Sequence, residues 1–190
     1  MEPIKNAIAV FISGRGTNLK SLIKYSSLKK SNFTVKLIIS NKKTAKGLIY
    51  AKKNKIQTYI TNFKNKKISE KKIIKYLKNS SIDLICLAGF MKILSKNFIK
   101  NFNNPILNIH PSLLPKYKGL NTHERVLKNK DKYSGATVHL VNSKLDSGTI
   151  IMQKKVNVLN KDTPKSLKSK VQQAEYWLYP RAIKKFLVNS

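Results

Sequence analysis

The sequence has little cysteine, no long apolar run and few acidic residues. Its single cysteine, Cys86, lies in the apolar run 85–87 and cannot form an intrachain disulfide, so we expect a small core residue. No stretch of about 18 apolar residues occurs, which argues against a membrane-spanning helix. The segment 1–11 runs directly into a strand-like sequence without the features of a signal peptide. These absences predict a cytoplasmic protein.

The scarcity of acidic residues leaves a large positive charge. Against 39 Lys and Arg there are 8 Asp and Glu, for a formal charge of +31. Clustered cations bind phosphates, so a basic nucleic-acid-binding protein is one hypothesis. However, the cations are 36 lysines and 3 arginines, and the lysines occur in every segment. Because arginine is favoured at base edges and phosphate forks, this composition argues against specific nucleic-acid recognition. The positive field is still expected to attract small anionic substrates.

The pattern of apolar residues predicts one α/β domain. The 190 residues, 41% of them hydrophobic, are enough for a complete core. Strand-length apolar runs alternate with amphipathic helix-length segments, which is typical of a mostly parallel sheet flanked by helices. The predicted strands are 7–12, 35–39, 56–60, 83–88, 105–109, 136–141 and 149–158. The first predicted helix is capped by Thr17 and runs through Leu19, Leu22 and Ile23. The other predicted helices are 45–53, 69–77, 122–127 and 164–187, and Ser69 is the predicted cap of the helix 69–77.

Two short segments carry an amide, an imidazole and a carboxylate, the groups that a metal-free acyl transfer requires. Asn108 and His110 lie in 108–115, and Asp146 lies in 145–148. Residues two apart in a strand point to one side, so Asn108 and His110 are expected to face the crevice beyond their strand's carboxyl end. There they fit an oxyanion donor and a proton-transferring group, with Asp146 orienting the imidazole. Spacing alone does not join Asp146 to them, and a structural role for both remains the alternative.

Two other histidines compete for the catalytic role. His139 lies in an alternating strand, where a packed histidine is the more common finding, and His123 lies at a helix start.

The turn 13–18, Ser-Gly-Arg-Gly-Thr-Asn, lies between a predicted strand and a predicted helix. Glycines let the backbone approach an anion, and the helix start offers unpaired amides, so a phosphate would fit. The segment lacks the Gly-Lys-Ser/Thr ending of a P-loop and the third glycine of a dinucleotide fingerprint. A tight turn that only caps the helix is an equally good interpretation.

Taken together, these segments resemble the folate-dependent glycinamide ribonucleotide (phosphoribosylglycinamide) formyltransferase family along nearly the whole chain. The resembling segments are 12–19, 40–42, 87–94, 108–115, 135–139 and 145–148. The resemblance implies a Rossmann-like formyltransferase fold forming a single domain over 1–190. In it the N-terminal half would bind the phosphate and ribonucleotide, and the C-terminal half would bind folate and carry out catalysis. It also implies formyl transfer from 10-formyltetrahydrofolate, a co-substrate, to glycinamide ribonucleotide in purine biosynthesis, without a metal or a tightly bound cofactor.

The resemblance further implies substrate contacts. For the ribonucleotide they are Gly16, Thr17, Asn18 and Glu175, and for folate they are Lys66, Met91, Lys92, Ile93, Leu94 and Asn108. Four positions depart from the family pattern: Lys92 stands where arginine is common, Asn121 where histidine is frequent, and Ser147 and Thr149 where glycine and proline are usual. These departures concern rate and folate affinity more than the reaction.

Two related enzymes are alternatives to this function. Methionyl-tRNA formyltransferase and formyltetrahydrofolate hydrolase share the catalytic core, but each carries a further domain for which this chain has no room. The expected partners are the two small substrates, with no specific nucleic acid and no membrane, and a homodimer is left open.

Overall fold

A computed structural model describes residues 5–189 of the chain. Residues 1–4 and residue 190 lie outside the described residues. They are the two ends of the predicted single domain, and residues 1–4 also begin the segment that was predicted to contain no signal peptide. The strands are β1 (Asn6–Ile12), β2 (Phe33–Ser40), β3 (Gln57–Ile60), β4 (Leu84–Leu87), β5 (Ile106–His110), β6 (Tyr133–Leu140) and β7 (Ile150–Asn157). The helices are α1 (Thr17–Ser26), α2 (Leu48–Lys53), α3 (Lys66–Asn79), α4 (Lys96–Phe102), α5 (Thr122–Lys128) and α6 (Pro164–Val188).

The strands form a single seven-stranded sheet in the order β3-β2-β1-β4-β5-β6-β7. The neighbouring strands from β3 to β5 in this order are all parallel to one another. Strand β6 is antiparallel to both of its neighbours, β5 and β7. The predicted mostly parallel sheet is therefore confirmed. Because the chain winds outward in opposite directions from β1 and β4, a crevice is expected outside the carboxyl ends of these two strands.

Both faces of the sheet are covered by helices, and β1 shows the reason. Its residues alternate between two apolar clusters, as period-two side chains do in a strand buried on both sides. Ile8 and Val10 pack in the cluster that includes buried residues of α1, α5 and α6, whereas Ala9 and Phe11 pack in the one that includes α3 and α4. Cys86 is buried in the first cluster, so the prediction of a core cysteine is confirmed.

Two predicted helix caps are wrong. Gly16, at φ 69°, is the N-cap of α1, and Thr17 is the first helical residue. The cap of α3 is Asn65, whose side chain accepts the backbone N–H of Ile68, so this helix begins three residues before the predicted Ser69. In both cases the apolar pattern located the helix, but the chain conformation around it selected the cap.

Helix α4 was not predicted, and α2 is shorter than expected. Ser95 caps α4 through its side chain, which accepts the backbone N–H of Phe98. The helix has only 7 residues, too short for a clear helical period. Helix α2 begins at Leu48 because 45–47 form a turn before it.

Within residues 5–189, no helix has both the length and the apolar character needed to cross a membrane.

Candidate active site

Asn108, His110 and Asp146 meet at the carboxyl end of β5. Asn108 and His110 lie two apart in β5, as predicted, and Asp146 lies in the loop between β6 and β7. His110 Nδ1 is 3.4 Å from Asp146 Oδ2, and Asn108 Nδ2 is 3.5 Å from Asp146 Oδ1. The structure thus supplies the contact with Asp146 that sequence spacing could not.

The loop that carries Asp146 is held on both sides. The backbone N–H of Gly119 donates to Asp146 Oδ2 at 2.9 Å. At Gly148 a Cβ would overlap the carbonyl oxygen of Leu140, so only glycine lets the loop return this closely to β6. Asp146 itself has φ 45°, in the left-handed region that aspartate tolerates better than most residues. These constraints fix the carboxylate between two strands.

His139 is a buried histidine, as expected for its strand, and it also contacts the cluster. It lies directly opposite Asn108 in the antiparallel β5–β6 pair. Its Nδ1 is 2.8 Å from the carbonyl oxygen of Leu140, so Nδ1 carries the hydrogen of that bond. Its Nε2 lies 3.1 Å from Asn108 Nδ2 and 3.7 Å from Asp146 Oδ1. Because Nδ1 carries the hydrogen in this tautomer, Nε2 accepts a hydrogen bond from the Asn108 amide.

His110 is arranged to take up a proton on the side of Asp146. Its Nε2 lies 2.9 Å from the carbonyl oxygen of Tyr117 and donates to it. Burial lowers the pKa of His110, and the Tyr117 carbonyl and the Asp146 carboxylate offset only part of this effect. The neutral ring therefore presents an unprotonated Nδ1 to Asp146. A proton that arrives at Nδ1 completes an ion pair with the carboxylate, so this is where a reaction can deposit one.

Asp146 is the anion of the cluster. Burial, the largest influence, acts to raise its pKa, but contacts with the His139 side chain, the Gly119 N–H and the neighbouring His110 ring together lower the pKa below its usual value. Asp146 is therefore ionised at neutral pH. A buried carboxylate with its partners in place can orient a neighbouring imidazole and stabilise its charged form.

The Asn108 amide group donates toward two acceptors, and the two hydrogen bonds differ in length. One Nδ2 hydrogen points to His139 Nε2 at 3.1 Å, and the other points to Asp146 Oδ1 at 3.5 Å, the limit of a hydrogen bond. The second hydrogen is weakly held and can turn to a reacting oxygen in the crevice.

A second group of residues surrounds the turn 13–18. The turn follows β1, and Gly16 packs so closely on α2 that a Cβ there would lie 2.5 Å from Gly47 Cα. The N–H of Gly47 donates to the carbonyl of Gly14 at 2.9 Å. This close packing requires glycine at position 16 and holds the start of α1, with Thr17 as its first residue, toward the crevice.

Asn18 and Glu175, distant in sequence, bond directly. Asn18 Nδ2 donates to Glu175 Oε2 at 2.9 Å, and both side chains are buried. Asn18 Oδ1 has no hydrogen-bond partner within the described part of the chain. Burial raises the pKa of Glu175 to about 7, although the Asn18 hydrogen bond acts to lower it. A buried, unpartnered oxygen beside a carboxyl group poised near neutrality is suited to a polar ligand.

A positively charged cleft of about 550 Å³ lies beside this turn. Among the residues that line it are Arg15, Thr17, Lys43, Lys46 and Tyr50. Sequence analysis did not single out Lys43 or Lys46, since lysines occur in every segment and only the fold shows which ones border the turn.

The segment 91–94 is divided between surface and core. Met91 and Ile93 have 64% and 68% of their surface exposed, and Lys92 is exposed as well. Leu94 is buried in the core cluster of α3 and α4. The N–H of Met91 donates to Ser13 Oγ at 2.7 Å, which joins this segment to the turn 13–18.

The remaining predicted positions are exposed or half-buried. Lys66 is exposed at the first residue of α3. Asn121, with φ 55°, is the N-cap of α5, a conformation that asparagine adopts more readily than most residues. Ser147 accepts a hydrogen bond from Lys118 Nζ at 2.6 Å. His123 lies in the first turn of α5, where burial lowers its pKa.

Comparison with known proteins places this site in a family. The formyl transferase family profile matches residues 6–183. The chain is 42% identical to phosphoribosylglycinamide formyltransferase of Haemophilus influenzae over 182 residues, 94% of this chain and 86% of that protein. The enzyme of the same name from Escherichia coli is 39% identical over 182 residues, with the same two coverages. The crystal structure of phosphoribosylglycinamide formyltransferase from Brucella melitensis superimposes with a TM-score of 0.91 at 40% identity, over 96% of this chain and 95% of that one. The chain belongs to the formyl transferase family.

Proposed function

We propose that this protein transfers the formyl group of 10-formyltetrahydrofolate to the amine of glycinamide ribonucleotide, a step of purine biosynthesis, in the cytoplasm. The observation that carries the proposal is the Asn108, His110 and Asp146 cluster at the carboxyl edge of the sheet. It occurs in a chain 42% identical to an enzyme of that name over 94% of its length.

The reaction joins the substrate amine to the formyl carbon. As the new C–N bond forms, the formyl oxygen becomes an oxyanion, and collapse of this intermediate breaks the bond to N10 of the folate. The attacking nitrogen loses a proton and N10 gains one, so the transfer needs an oxyanion donor and a route for a proton.

The cluster supplies both requirements. The weakly held Nδ2 hydrogen of Asn108 turns from Asp146 to the oxyanion. His110 receives the amine proton at Nδ1, where Asp146 stabilises the resulting imidazolium. The same proton then leaves His110 through a water molecule held by Asp146 and reaches N10 as the bond from the formyl carbon to N10 breaks, so that His110 returns to its neutral form. Each group acts beside the others because all three belong to a hydrogen-bonded network within 3.5 Å of Asp146.

The ribonucleotide fits the opposite end of the crevice. Its phosphate would accept hydrogen bonds from the backbone of Gly16, Thr17 and Asn18 at the start of α1, in the field of the cationic cleft. The paired side chains of Asn18 and Glu175 offer polar atoms to the sugar and amide. Asn18 and Glu175 lie near opposite ends of the chain, so the proposed ribonucleotide site takes residues from both halves. The predicted division into a ribonucleotide-binding N-terminal half and a folate-binding C-terminal half stays a prediction.

The folate fits between the turn and the catalytic cluster. Met91 and Ile93 offer exposed apolar surface to its ring system, and Lys92 offers a positive charge. Leu94 supports this segment from the core. Asn108 borders the same space, and Lys66 is proposed to meet the anionic part of the folate.

The test is an assay of the purified protein with the two substrates. Release of tetrahydrofolate that depends on glycinamide ribonucleotide supports the proposal. An equal rate without any amine would indicate a hydrolase instead, and a rate that appears only with methionyl-tRNA would indicate the tRNA-specific enzyme. Sedimentation of the same preparation tests the homodimer.

A further inference from the structure

A second cavity lies outside the candidate active site, at the start of β6. It has a volume of about 240 Å³. Its walls include the apolar side chains of Leu113 and Val126, and Ser134, Lys132 and Lys155 also line it. It shares no lining residue with the cleft beside the turn 13–18.

The cavity contains a buried hydroxyl group without a partner. Ser134 is only 2% exposed, and its Oγ makes no hydrogen bond to any of residues 5–189. Burying a hydroxyl without a hydrogen bond is unfavourable, because the group loses its bonds to water and gains none. Rotation of this side chain toward the cavity would give the hydroxyl a partner in a polar atom of a molecule bound there.

The charge around the cavity favours an anion. Lys116, Lys132 and Lys155 line it, against the single carboxylate of Asp131. That carboxylate is already engaged, because it lies 3.3 Å from Lys116 Nζ and accepts a hydrogen bond from the Tyr117 hydroxyl at 2.9 Å. Lys132 and Lys155 form no ion pair among the described residues, and Lys155 Nζ rests 3.7 Å from the centroid of the Tyr133 ring.

Tyr117 connects this cavity with the catalytic histidine. Its side chain lines the cavity, while its backbone carbonyl lies 2.9 Å from His110 Nε2. Its φ is 57°, a left-handed conformation that is unusual for a bulky residue and persists only when its surroundings enforce it. A ligand that moves the Tyr117 ring therefore also changes the acceptor that holds His110.

We propose that this cavity binds a small organic anion that is not a substrate, and that its occupancy modulates His110 through Tyr117. The apolar body of the ligand would rest on Leu113 and Val126. Its anionic group would pair with Lys132 and Lys155, and Ser134 would donate a hydrogen bond to it.

The binding test is an NMR titration of the ¹⁵N-labelled protein with three probes of similar size: phenyl phosphate, benzoate and neutral benzyl alcohol. We expect phenyl phosphate or benzoate to shift the amide signals of Ser134, Gly135 and Tyr117, and the two anions show whether a phosphate ester or a carboxylate is preferred. Benzyl alcohol should bind at least about tenfold more weakly, since it lacks the charge-assisted bonds. Shifts confined to the turn 13–18, or equal binding of the three probes, would overturn the proposal.

Variants of exposed and small residues provide the controls. The double variant Lys132→Gln/Lys155→Gln should weaken binding of the anion about tenfold, and Ser134→Ala should weaken it about threefold to tenfold. Lys128→Gln removes an exposed charge from nearby α5 outside the cavity wall and should leave binding unchanged. Unchanged affinity in both the double variant and Ser134→Ala would contradict the assignment.

The coupling to His110 is measured separately, and this measurement alone rests on the proposed function. Phenyl phosphate should shift the pH profile of kcat in the wild-type enzyme but not in Lys132→Gln/Lys155→Gln. Binding without any shift in the wild-type profile would retain the anion site and refute the coupling.

Discussion

Asn108 and His139 face each other across the β5–β6 pair, with Asn108 Nδ2 3.1 Å from His139 Nε2. We infer that His139 holds the Asn108 amide with one hydrogen toward the crevice, and therefore that it is a positioning residue. Replacement of His139 by Phe keeps a ring of similar size but removes the acceptor. We expect kcat to fall about tenfold to hundredfold, because loss of an oxyanion donor of this kind costs about 10²- to 10³-fold.

Steady-state kinetics with the conservative variant provides the control. His139→Gln restores a side-chain oxygen that can accept from Asn108, so it should recover part of kcat. The KM for glycinamide ribonucleotide should stay within about twofold in both variants, since the turn 13–18 is unchanged. A kcat of His139→Phe near that of the wild type would refute the positioning role.

Asp146→Asn should retain the fold and lose most activity. The Asn side chain can still accept the Gly119 N–H, but it carries no charge to stabilise protonated His110. We expect kcat to fall by about 10²-fold or more, as for other groups that assist proton transfer. Asp162→Asn is the matched control: Asp162 accepts a hydrogen bond from Ser166 Oγ in the first turn of α6 and pairs with Lys170, so its loss should affect stability and spare kcat. Thermal unfolding of both variants separates the two effects.

The pH dependence of kcat provides a further prediction about His110 and Asp146. The pKa of His110 lies below its usual 6.5 because burial outweighs the raising influence of Asp146 and the Tyr117 carbonyl. If neutral His110 accepts the amine proton, kcat should decline as the pH falls through a value below 6.5. In Asp146→Asn the raising influence is lost, so the acidic limb of the residual activity should move to lower pH. A limb that stays in place, or moves to higher pH, would show that another group titrates.

Glu175→Gln should change the pH dependence of stability. The pKa of Glu175 is raised from 4.5 to about 7 in the folded protein, so between these values the folded state holds a proton that the unfolded chain releases. The free energy of unfolding therefore falls as the pH rises across that window, by at most about 3 to 4 kcal/mol at 1.36 kcal/mol per pKa unit. The glutamine side chain of the variant does not titrate, and its amide oxygen can still accept the hydrogen bond from Asn18.

Chemical denaturation at pH 5 and pH 7.5 measures this difference. We expect the free energy of unfolding of Glu175→Gln to decline less than that of the wild type between the two values. The exposed Glu124→Gln should follow the wild type. If all three proteins lose the same stability, the carboxyl group of Glu175 is not protonated near neutrality.

Much of the fold could be predicted from the sequence because both helices and strands are marked by apolar periodicity. The strands buried on both faces, such as β1 and β4, are nearly continuous apolar runs. What could not be predicted depends on neighbours distant in sequence. Gly16 caps α1 because Gly47 packs against it, and the short α4 depends on a Ser95 cap rather than on a periodic pattern.

In the candidate site, too, local sequence patterns predicted some features, while others depend on residues distant in sequence. Strand geometry was sufficient to place Asn108 and His110 on one side. The motif 145–148 offered Asp146 as their carboxylate partner, but its contact with them is visible only in the structure. The contacts of His139 and Tyr117 with the cluster required the β5–β6 register and the loop after β5, for which no local pattern exists. The lysines around the turn 13–18 were hidden by a composition in which lysine is common everywhere.

Ile93 and Leu94 are adjacent, and variants of the two residues test folate binding and core packing separately. Ile93 is 68% exposed, so Ile93→Ser should leave the free energy of unfolding within about 0.5 kcal/mol of the wild type. If its surface receives the folate, the KM for 10-formyltetrahydrofolate should rise about fivefold to tenfold, because burial of an apolar side chain contributes roughly 1.5–3 kcal/mol when complete. Leu94 is buried near Phe98, so Leu94→Ala should cost about 2–5 kcal/mol of stability by leaving a cavity. Denaturation curves and folate titrations of both variants provide the comparison. An unchanged folate KM in Ile93→Ser would exclude Ile93 from the folate site.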